Sequence, residues 1–207
     1  MGCTAADVAD ALRAATRVVA EHRDELVRLD REIGDGDHGE NLNRGFAALV
    51  SKLDESVPAS PGGVLRLAAT TLISTVGGAA GPLYGTAFLR AATSVGDAAE
   101  LDAEAVAGAL SAALEGVVAR GKAEVGDKTM VDALTPAVVA ARAAASGGVR
   151  DVLTAAAEAA EMGAESTVPL VARKGRASYL GERSAGHLDP GARSTSLLLR
   201  TFAGGAG

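Results

Sequence analysis

The chain has 207 residues, which is the length of one domain, and its net charge of −6 excludes a general nucleic-acid-binding surface. The sequence has no apolar run that would cross a bilayer, no signal-peptide pattern and only one cysteine, Cys3, so an internal disulfide is ruled out. These features predict a single cytoplasmic domain over residues 1–207, with neither nucleic acid nor membrane as a partner.

Apolar residues recur at helical spacing through most of the chain. The first pattern runs from Val8 to Leu29 and places Asp30 at its C-terminal end. Residues 70–76 favour a strand by propensity, but the longer apolar period that includes them predicts a helix. Pro136 should kink its helix or end the first part of it. The fold class is therefore all-α, a bundle or barrel of about eight helices in which the polar segments between helices can gather at one end. The eight patterns start near these residues: Thr4, Leu42, Ser60, Ala87, Asp102, Thr129, Val149 and Ser194.

Three aspartates lie within eight residues in the loop after the first predicted helix. Asp30, Asp35 and Asp37 would repel one another without a counter-ion. Carboxylate oxygens suit Mg²⁺ or Ca²⁺ better than zinc, and Mg²⁺ in proteins usually keeps sites for water and phosphate. The alternative is a solvated acidic loop. Residues 34–39 also match G-x-G-x-x-G, but a helix and not a strand precedes them, so we reject a dinucleotide-binding fold.

Three further polar segments lie between predicted helices. Residues 77–85 are glycine-rich, and their N–H groups can approach an anion at a helix N-terminus, although a tight turn explains them as well. Residues 121–130 form a mixed-charge segment typical of a surface loop. Residues 173–183 carry four cations, which suit phosphates or a charged surface. Together with the aspartates, these segments predict a site for an anionic ligand and a cation.

The four segments closely resemble the nucleotide-binding L subunit of dihydroxyacetone kinases. The matching stretches are 29–39, 77–85, 121–130 and 173–183, and they span nearly the whole chain in the family's order. The resemblance implies an eight-helix antiparallel barrel that binds ADP or ATP at one end through two Mg²⁺ ions. It also implies a phosphotransferase that delivers a phosphoryl group to dihydroxyacetone on a separate K subunit.

The resemblance also implies which residues form the site. The family pattern assigns Asp30, Asp35 and Asp37 as metal ligands, and these three with Arg176 as the catalytic set. Where the family often has serine this chain has Ala80, so a hydroxyl contact to phosphate would be lost, and we expect weaker binding rather than none. The residues implied in nucleotide binding are His38, Gly39, Glu40, Asn41, Gly78, Ala79, Ala80, Gly121, Met130, Arg176, Asp189, Pro190 and Gly191.

Members of this family follow two modes of action. In one mode ADP stays bound as a coenzyme and is rephosphorylated by a phosphotransferase-system M subunit, and in the other ATP is an ordinary substrate. A stand-alone L chain favours the first mode, because ATP-using relatives often fuse the K and L domains. The alternatives are an ATP-using L subunit for another small ketose and a nucleotide-sensing module that binds a regulator. A further partner is a second copy of the chain in a homodimer.

Overall fold

The computed structural model describes residues 2–205 and is almost entirely helical, which confirms the all-α class. One pair of two-residue antiparallel strands, β1 (Cys3–Thr4) and β2 (Glu100–Leu101), was not predicted. A 3-10 segment covers Arg176–Ser184 and contains a non-helical residue, Gly181. The α-helices of the described residues are α1 (Ala5–Glu21), α2 (Arg23–Ile33), α3 (His38–Glu55), α4 (Pro61–Thr75), α5 (Ala80–Val95), α6 (Ala103–Gly121), α7 (Met130–Ala143), α8 (Val149–Glu165) and α9 (Pro190–Gly205).

Eight of these helices form a closed ring. α1 packs on α3, each helix from α3 to α8 packs on the next, and α9 closes the ring against α1. α2 lies outside the ring and contacts α3, α9 and the 3-10 segment. It counts as a ninth helix because the backbone at His22 leaves the helical region, with ψ near 7°. The apolar spacing continues across this break, so the sequence showed α1 and α2 as one helix.

Several residues at which a helix was predicted to begin are N-caps in the structure. The side chains of Thr4, Ser60 and Asp102 each accept a backbone N–H from the first turn of α1, α4 and α6. The start of α9 differs from the prediction near Ser194, because Asp189 caps the helix and Pro190 occupies its first position.

α7 continues through Pro136 to Ala143, so of the two expected effects of this proline, a kink or an end of the helix, the second does not occur. A proline here lacks the N–H that would bond to the carbonyl of Asp132. Gly163 of α8 packs against that same carbonyl so closely that a Cβ atom would overlap it. The packing of α7 against α8 therefore supports a helix that local sequence disfavours.

Alternation of helix direction brings the functional segments to one end of the barrel. α2, α4, α6 and α8 end where α3, α5, α7 and α9 begin. A cavity of about 670 Å³ lies among the helices, and apolar side chains such as Leu12, Phe88 and Leu134 line it. None of the three aspartates of the acidic loop reaches this cavity. In the part of the chain described, no helix is both long and apolar enough to cross a membrane.

Candidate functional site

A polar cleft of about 190 Å³ lies at the barrel end where four helices begin. It is smaller than the apolar cavity, but it is the one that contains the acidic loop, the glycine-rich turn and part of the basic segment. The cleft therefore joins segments that are far apart in sequence.

Asp30, Asp35 and Asp37 converge on one side of this cleft. Each offers a carboxylate oxygen, and these oxygens lie within 4.8 Å of one another. Asp30, in the last turn of α2, is buried, whereas Asp35 and Asp37 are exposed to solvent. The Oδ2 atom of Asp30 accepts the N–H groups of Asp37 at 2.8 Å and His38 at 3.1 Å. These two bonds hold the loop so that its carboxylates face the same point.

Two glycines allow this loop to fold. A Cβ atom on Gly34 would overlap the Oδ1 atom of Asp30, so a larger residue would displace that carboxylate. Gly36 has φ of 76°, in the left-handed region that glycine adopts without strain. The loop conformation therefore depends on both residues.

The donor set fits a hard divalent cation. All three groups supply oxygen, and the Asp37 side chain, although at the start of α3, makes no capping bond that would occupy it. Three converging carboxylates without a counter-ion repel each other, and a cation bound by them removes that repulsion. Oxygen ligands of this kind are those that Mg²⁺ and Ca²⁺ prefer.

Cationic side chains lie opposite the aspartates. The guanidinium of Arg176 is 3.0 Å from the Oδ2 atom of Asp35, at the mouth of the cleft. Lys174 and Lys128 also line the cleft, whereas Arg173 and Arg183 do not. The basic segment therefore contributes two of its four cations to the site, and Lys128 was not predicted there.

The N-termini of α3, α5, α7 and α9 all point at the cleft, since their first residues, His38, Ala80, Met130 and Pro190, line it. α5 begins without a side-chain cap, so its first N–H groups are free of such a bond. Aligned peptide dipoles give a helix N-terminus a partial positive charge, which favours an anion. This end of the barrel thus suits phosphate.

The glycine-rich turn before α5 packs against Asn41. A Cβ atom on Gly77 would lie 2.8 Å from the Oδ1 atom of Asn41, and Gly78 has φ of 63°. Glycine at these positions lets the backbone approach the Asn41 side chain and turn into α5. Residues 77–85 can therefore form a tight turn and also present N–H groups to an anion.

A hydrogen-bonded cluster supports the floor of the cleft. The Nε2 atom of His38 is 2.9 Å from Ser194 Oγ, and Tyr84 Oη is 2.7 Å from the same oxygen and 3.0 Å from Thr195 Oγ1. Burial lowers the pKa of His38 and raises the pKa of Tyr84 to about 12. Tyr84 therefore stays protonated and orients this cluster.

Asp189 combines a structural and an electrostatic role. Its Oδ2 atom accepts the N–H of Ala192 at 2.7 Å and so caps α9. Burial raises the pKa of Asp189 to about 7, although the nearby Lys128 acts in the opposite direction. This carboxyl group lines the cleft.

Most residues that the family pattern implied lie on the cleft, and three do not. Gly39 packs against the backbone of α2, and Glu40 is exposed with a carboxylate 3.7 Å from Arg23. Gly121 ends α6 just behind Leu83, which does line the cleft. Lining residues absent from the implied set include Ile33, Gly34, Gly77, Leu83, Tyr84, Lys128, Thr129, Lys174, Gly175 and Ala177. All ten lie inside the four segments singled out in the sequence, but no signal within those segments separated them from surface residues.

Comparison with known proteins agrees with this arrangement. The model of the DAK2 domain matches residues 32–204, so the fold and the site define a DAK2-domain protein. The chain is 47% identical over 180 residues to the ADP-binding subunit DhaL of the PEP-dependent dihydroxyacetone kinase of Escherichia coli, with 86% of each chain covered. It is also 47% identical to the corresponding subunit of kinase 1 from Listeria innocua, covering 89% of this chain and 88% of that one.

A solved structure shares the fold. The dihydroxyacetone kinase of C. freundii in complex with AMP-PNP and Mg²⁺ superposes with a TM-score of 0.73 at 26% identity, covering 99% of this chain. The chain spans about a third of that protein, 34% of its length. This chain belongs to the DAK2-domain family, with the L-type subunits of dihydroxyacetone kinases as its full-length relatives, which confirms the family that the sequence resembled.

Substitution of Gly34 by alanine tests the steric role of this glycine. The added methyl group would displace the Asp30 carboxylate, so we expect Gly34→Ala to weaken Mg²⁺ binding at least tenfold, a change of about 1.4 kcal/mol. Calorimetric titration with Mg²⁺ measures this. Gly204→Ala is the matched control, because its Cβ atom meets nothing within 4 Å. Equal affinity of the two variants would contradict the steric argument.

The raised pKa of Asp189 predicts a pH-dependent stability. Between its ordinary value of 3.8 and about 7, the unfolded chain has this group ionised while the folded chain keeps the proton, so its contribution to the free energy of unfolding falls as pH rises. Asp189→Asn, which retains the capping oxygen, should therefore gain stability relative to the wild type from pH 4 to 7, by at most about 1.4 kcal/mol per pH unit. Urea unfolding at several pH values tests this. A difference between Asp189→Asn and the wild type that stays constant with pH would refute the prediction.

Proposed function

We propose that this chain is the ADP- and Mg²⁺-binding L subunit of a PEP-dependent dihydroxyacetone kinase. In this role it transfers a phosphoryl group to dihydroxyacetone held on a separate K subunit. The observation that carries the proposal is the convergence of three aspartate oxygens within 4.8 Å, next to the N-termini of four helices. The names of its full-length relatives, which are ADP-binding subunits, support the same ligand.

The parts of the cleft suit the phosphate end of a nucleotide. Asp30, Asp35 and Asp37 would hold Mg²⁺, two ions in our proposal, and bound Mg²⁺ neutralises charge on the phosphates. The uncapped start of α5 offers N–H groups to phosphate oxygens at Ala79 and Ala80. At Ala80 the contact is made by the backbone alone.

The nucleoside end extends beyond the cleft. The volume of the cleft, about 190 Å³, is below the roughly 300–1,000 Å³ of sites that bury a whole drug-sized ligand. Met130 lines the cleft and Leu83 separates it from Gly121. We therefore place the base along the rim from Met130 toward Gly121, and assign His38, Asn41, Asp189, Pro190 and Gly191 to the walls around the phosphates.

Phosphoryl transfer requires alignment and charge neutralisation more than covalent chemistry. Arg176 is suited to this, because its guanidinium is mostly exposed at the mouth and already lies 3.0 Å from Asp35. A planar donor at that position can stabilise charge on a phosphoryl group as it leaves toward an acceptor outside the cleft. The acceptor then arrives on the K subunit, and a phosphotransferase-system M subunit restores the phosphoryl group.

The nucleotide that co-purifies with the protein tests the coenzyme mode. The protein is purified without added nucleotide, denatured, and its released nucleotide and metal are quantified. We expect about one ADP and two Mg²⁺ per chain, as a bound coenzyme requires. A protein that is empty but binds ATP with added Mg²⁺ would favour ATP as substrate. An empty protein that binds neither nucleotide would overturn the proposal.

Removal of the Arg176 guanidinium should slow transfer without unfolding the chain. We expect Arg176→Ala to lower kcat for transfer to dihydroxyacetone, measured with K and M subunits supplied, by at least a hundredfold, because removal of a positioned transition-state donor typically costs about 10²–10³ in kcat. Arg183→Ala is the matched control, since Arg183 belongs to the same segment but does not line the cleft. Equal rates for the two variants would count against the assignment.

Asp35→Asn tests the metal assignment, and phosphoryl transfer by the wild type separates catalysis from sensing. This variant should lose tight Mg²⁺–nucleotide binding while its helices remain folded, as circular dichroism would show. If the wild type binds nucleotide but transfers nothing to dihydroxyacetone with a K subunit, a nucleotide-sensing module is the better description. Transfer to another small ketose would change the acceptor and keep the site.

A further inference from the structure

Lys128 is a buried cation whose hydrogen bonds are all made to backbone. It is 1% exposed and adopts a left-handed conformation with φ of 63°. Its Nζ atom donates to the carbonyl oxygens of Thr167 at 2.6 Å and Val168 at 3.5 Å, and to that of His187. An ammonium group has three N–H donors, so these three acceptors match its capacity.

The partners of Lys128 exclude a direct role in phosphate binding. Although the residue lines the cleft, its ammonium is directed at carbonyl groups that lie outside the acidic loop. Arg176 and Lys174 remain as the cations of the basic segment that face the ligand space. The effect of Lys128 on a ligand must therefore pass through the segments it holds.

Those segments are the two ends of one long connection. Thr167 and Val168 follow α8, His187 precedes α9, and the connection between them carries the 3-10 segment with Arg176. Other bonds join the same ends, because Gly186 donates to the Val168 carbonyl at 2.7 Å and Asp189 donates its N–H to Thr167 Oγ1 at 3.0 Å. Lys128 thus lies where the connection leaves α8 and returns to α9.

The neighbour of Lys128 holds the same connection at a third point. The carbonyl of Asp127 accepts the N–H of Arg173 at 3.1 Å, three residues before Arg176. The residues 127–128 therefore contact the connection at both ends and just before the 3-10 segment. The start of α9, with Asp189 and Gly191 on the cleft, is held by the same set of bonds.

We propose that Lys128 is a positioning residue that closes the connection between α8 and α9 and so presents Arg176 and the start of α9 to the nucleotide. This inference rests on the proposed function, because it concerns how the same site is held together. A neutral side chain at position 128 would remove the donor to the His187 carbonyl and one of the two donors to each of the Thr167 and Val168 carbonyls. It would also remove the cation near Asp189, and these losses disfavour this arrangement. Burial lowers the pKa of Lys128, while Asp189 and Asp132 favour its charged form.

Nucleotide affinity of a Lys128→Met variant tests the proposal. The full chain is titrated with ADP in the presence of Mg²⁺, and the free energy of unfolding is measured on the same sample. We expect at least a tenfold weaker affinity than that of the wild type. Val64→Ala is the stability control, because Val64 is fully buried in the first turn of α4, at the opposite end of that helix from the cleft. It should lose stability and keep the wild-type affinity.

The outcomes distinguish this inference from the proposed function. A wild type that binds no nucleotide overturns both. If the wild type binds nucleotide and Lys128→Met binds it with equal affinity, only the role of Lys128 is overturned. The same conclusion follows if Val64→Ala, at the same free energy of unfolding, loses as much nucleotide affinity as Lys128→Met. If Lys128→Met does not fold, Lys128→Gln replaces it, because the glutamine amide keeps two N–H donors near these carbonyl groups but lacks the positive charge and the third donor. The same tenfold loss supports the proposal, and unchanged affinity refutes it.

Discussion

The repulsion among three carboxylates held within 4.8 Å is the constraint on which the rest of this structure depends. Such a cluster requires compensation from its surroundings. The N–H groups of Asp37 and His38 bond to Asp30, and Arg176 pairs with Asp35. Gly34 provides the space that the Asp30 carboxylate occupies. The negative charge of the loop is therefore partly balanced by N–H groups and a guanidinium. For this reason the site suits a cation, held by the carboxylates, together with an anion.

The antiparallel barrel adds to that compensation. Because successive helices of the ring alternate in direction, every second N-terminus lies at the end that contains the aspartates. The partial positive charges of α3, α5, α7 and α9 add to those of Arg176 and Lys174. A fold of this kind can bind a highly negative ligand with few positively charged side chains, which agrees with the acidic composition of the chain.

The same architecture separates two very different environments. Tyr84 and Met130 line both the polar cleft and the apolar cavity of about 670 Å³. The hydroxyl of Tyr84 bonds to Ser194 and Thr195, so its polar end is satisfied between the two spaces. Alanine-rich helices pack closely elsewhere, as at Gly163 against α7. The cleft can thus hold charged side chains although Tyr84 and Met130 also line the apolar cavity.

The sequence by itself determined the helical class, the position of several caps, the acidic loop and the family. These are local properties. They can be recognised from neighbouring residues alone, through apolar spacing, capping residues and three aspartates in eight residues. Tertiary structure alone decided that α7 continues through Pro136, and that Gly39, Glu40 and Gly121 lie off the cleft lining. It also decided that Lys128, in a segment typical of a surface loop, is buried against three carbonyl groups. The physical reason is that Pro136, Gly121 and Lys128 lie against residues from distant parts of the chain, namely Gly163, Leu83 and Thr167, which the barrel brings together and the linear pattern does not contain.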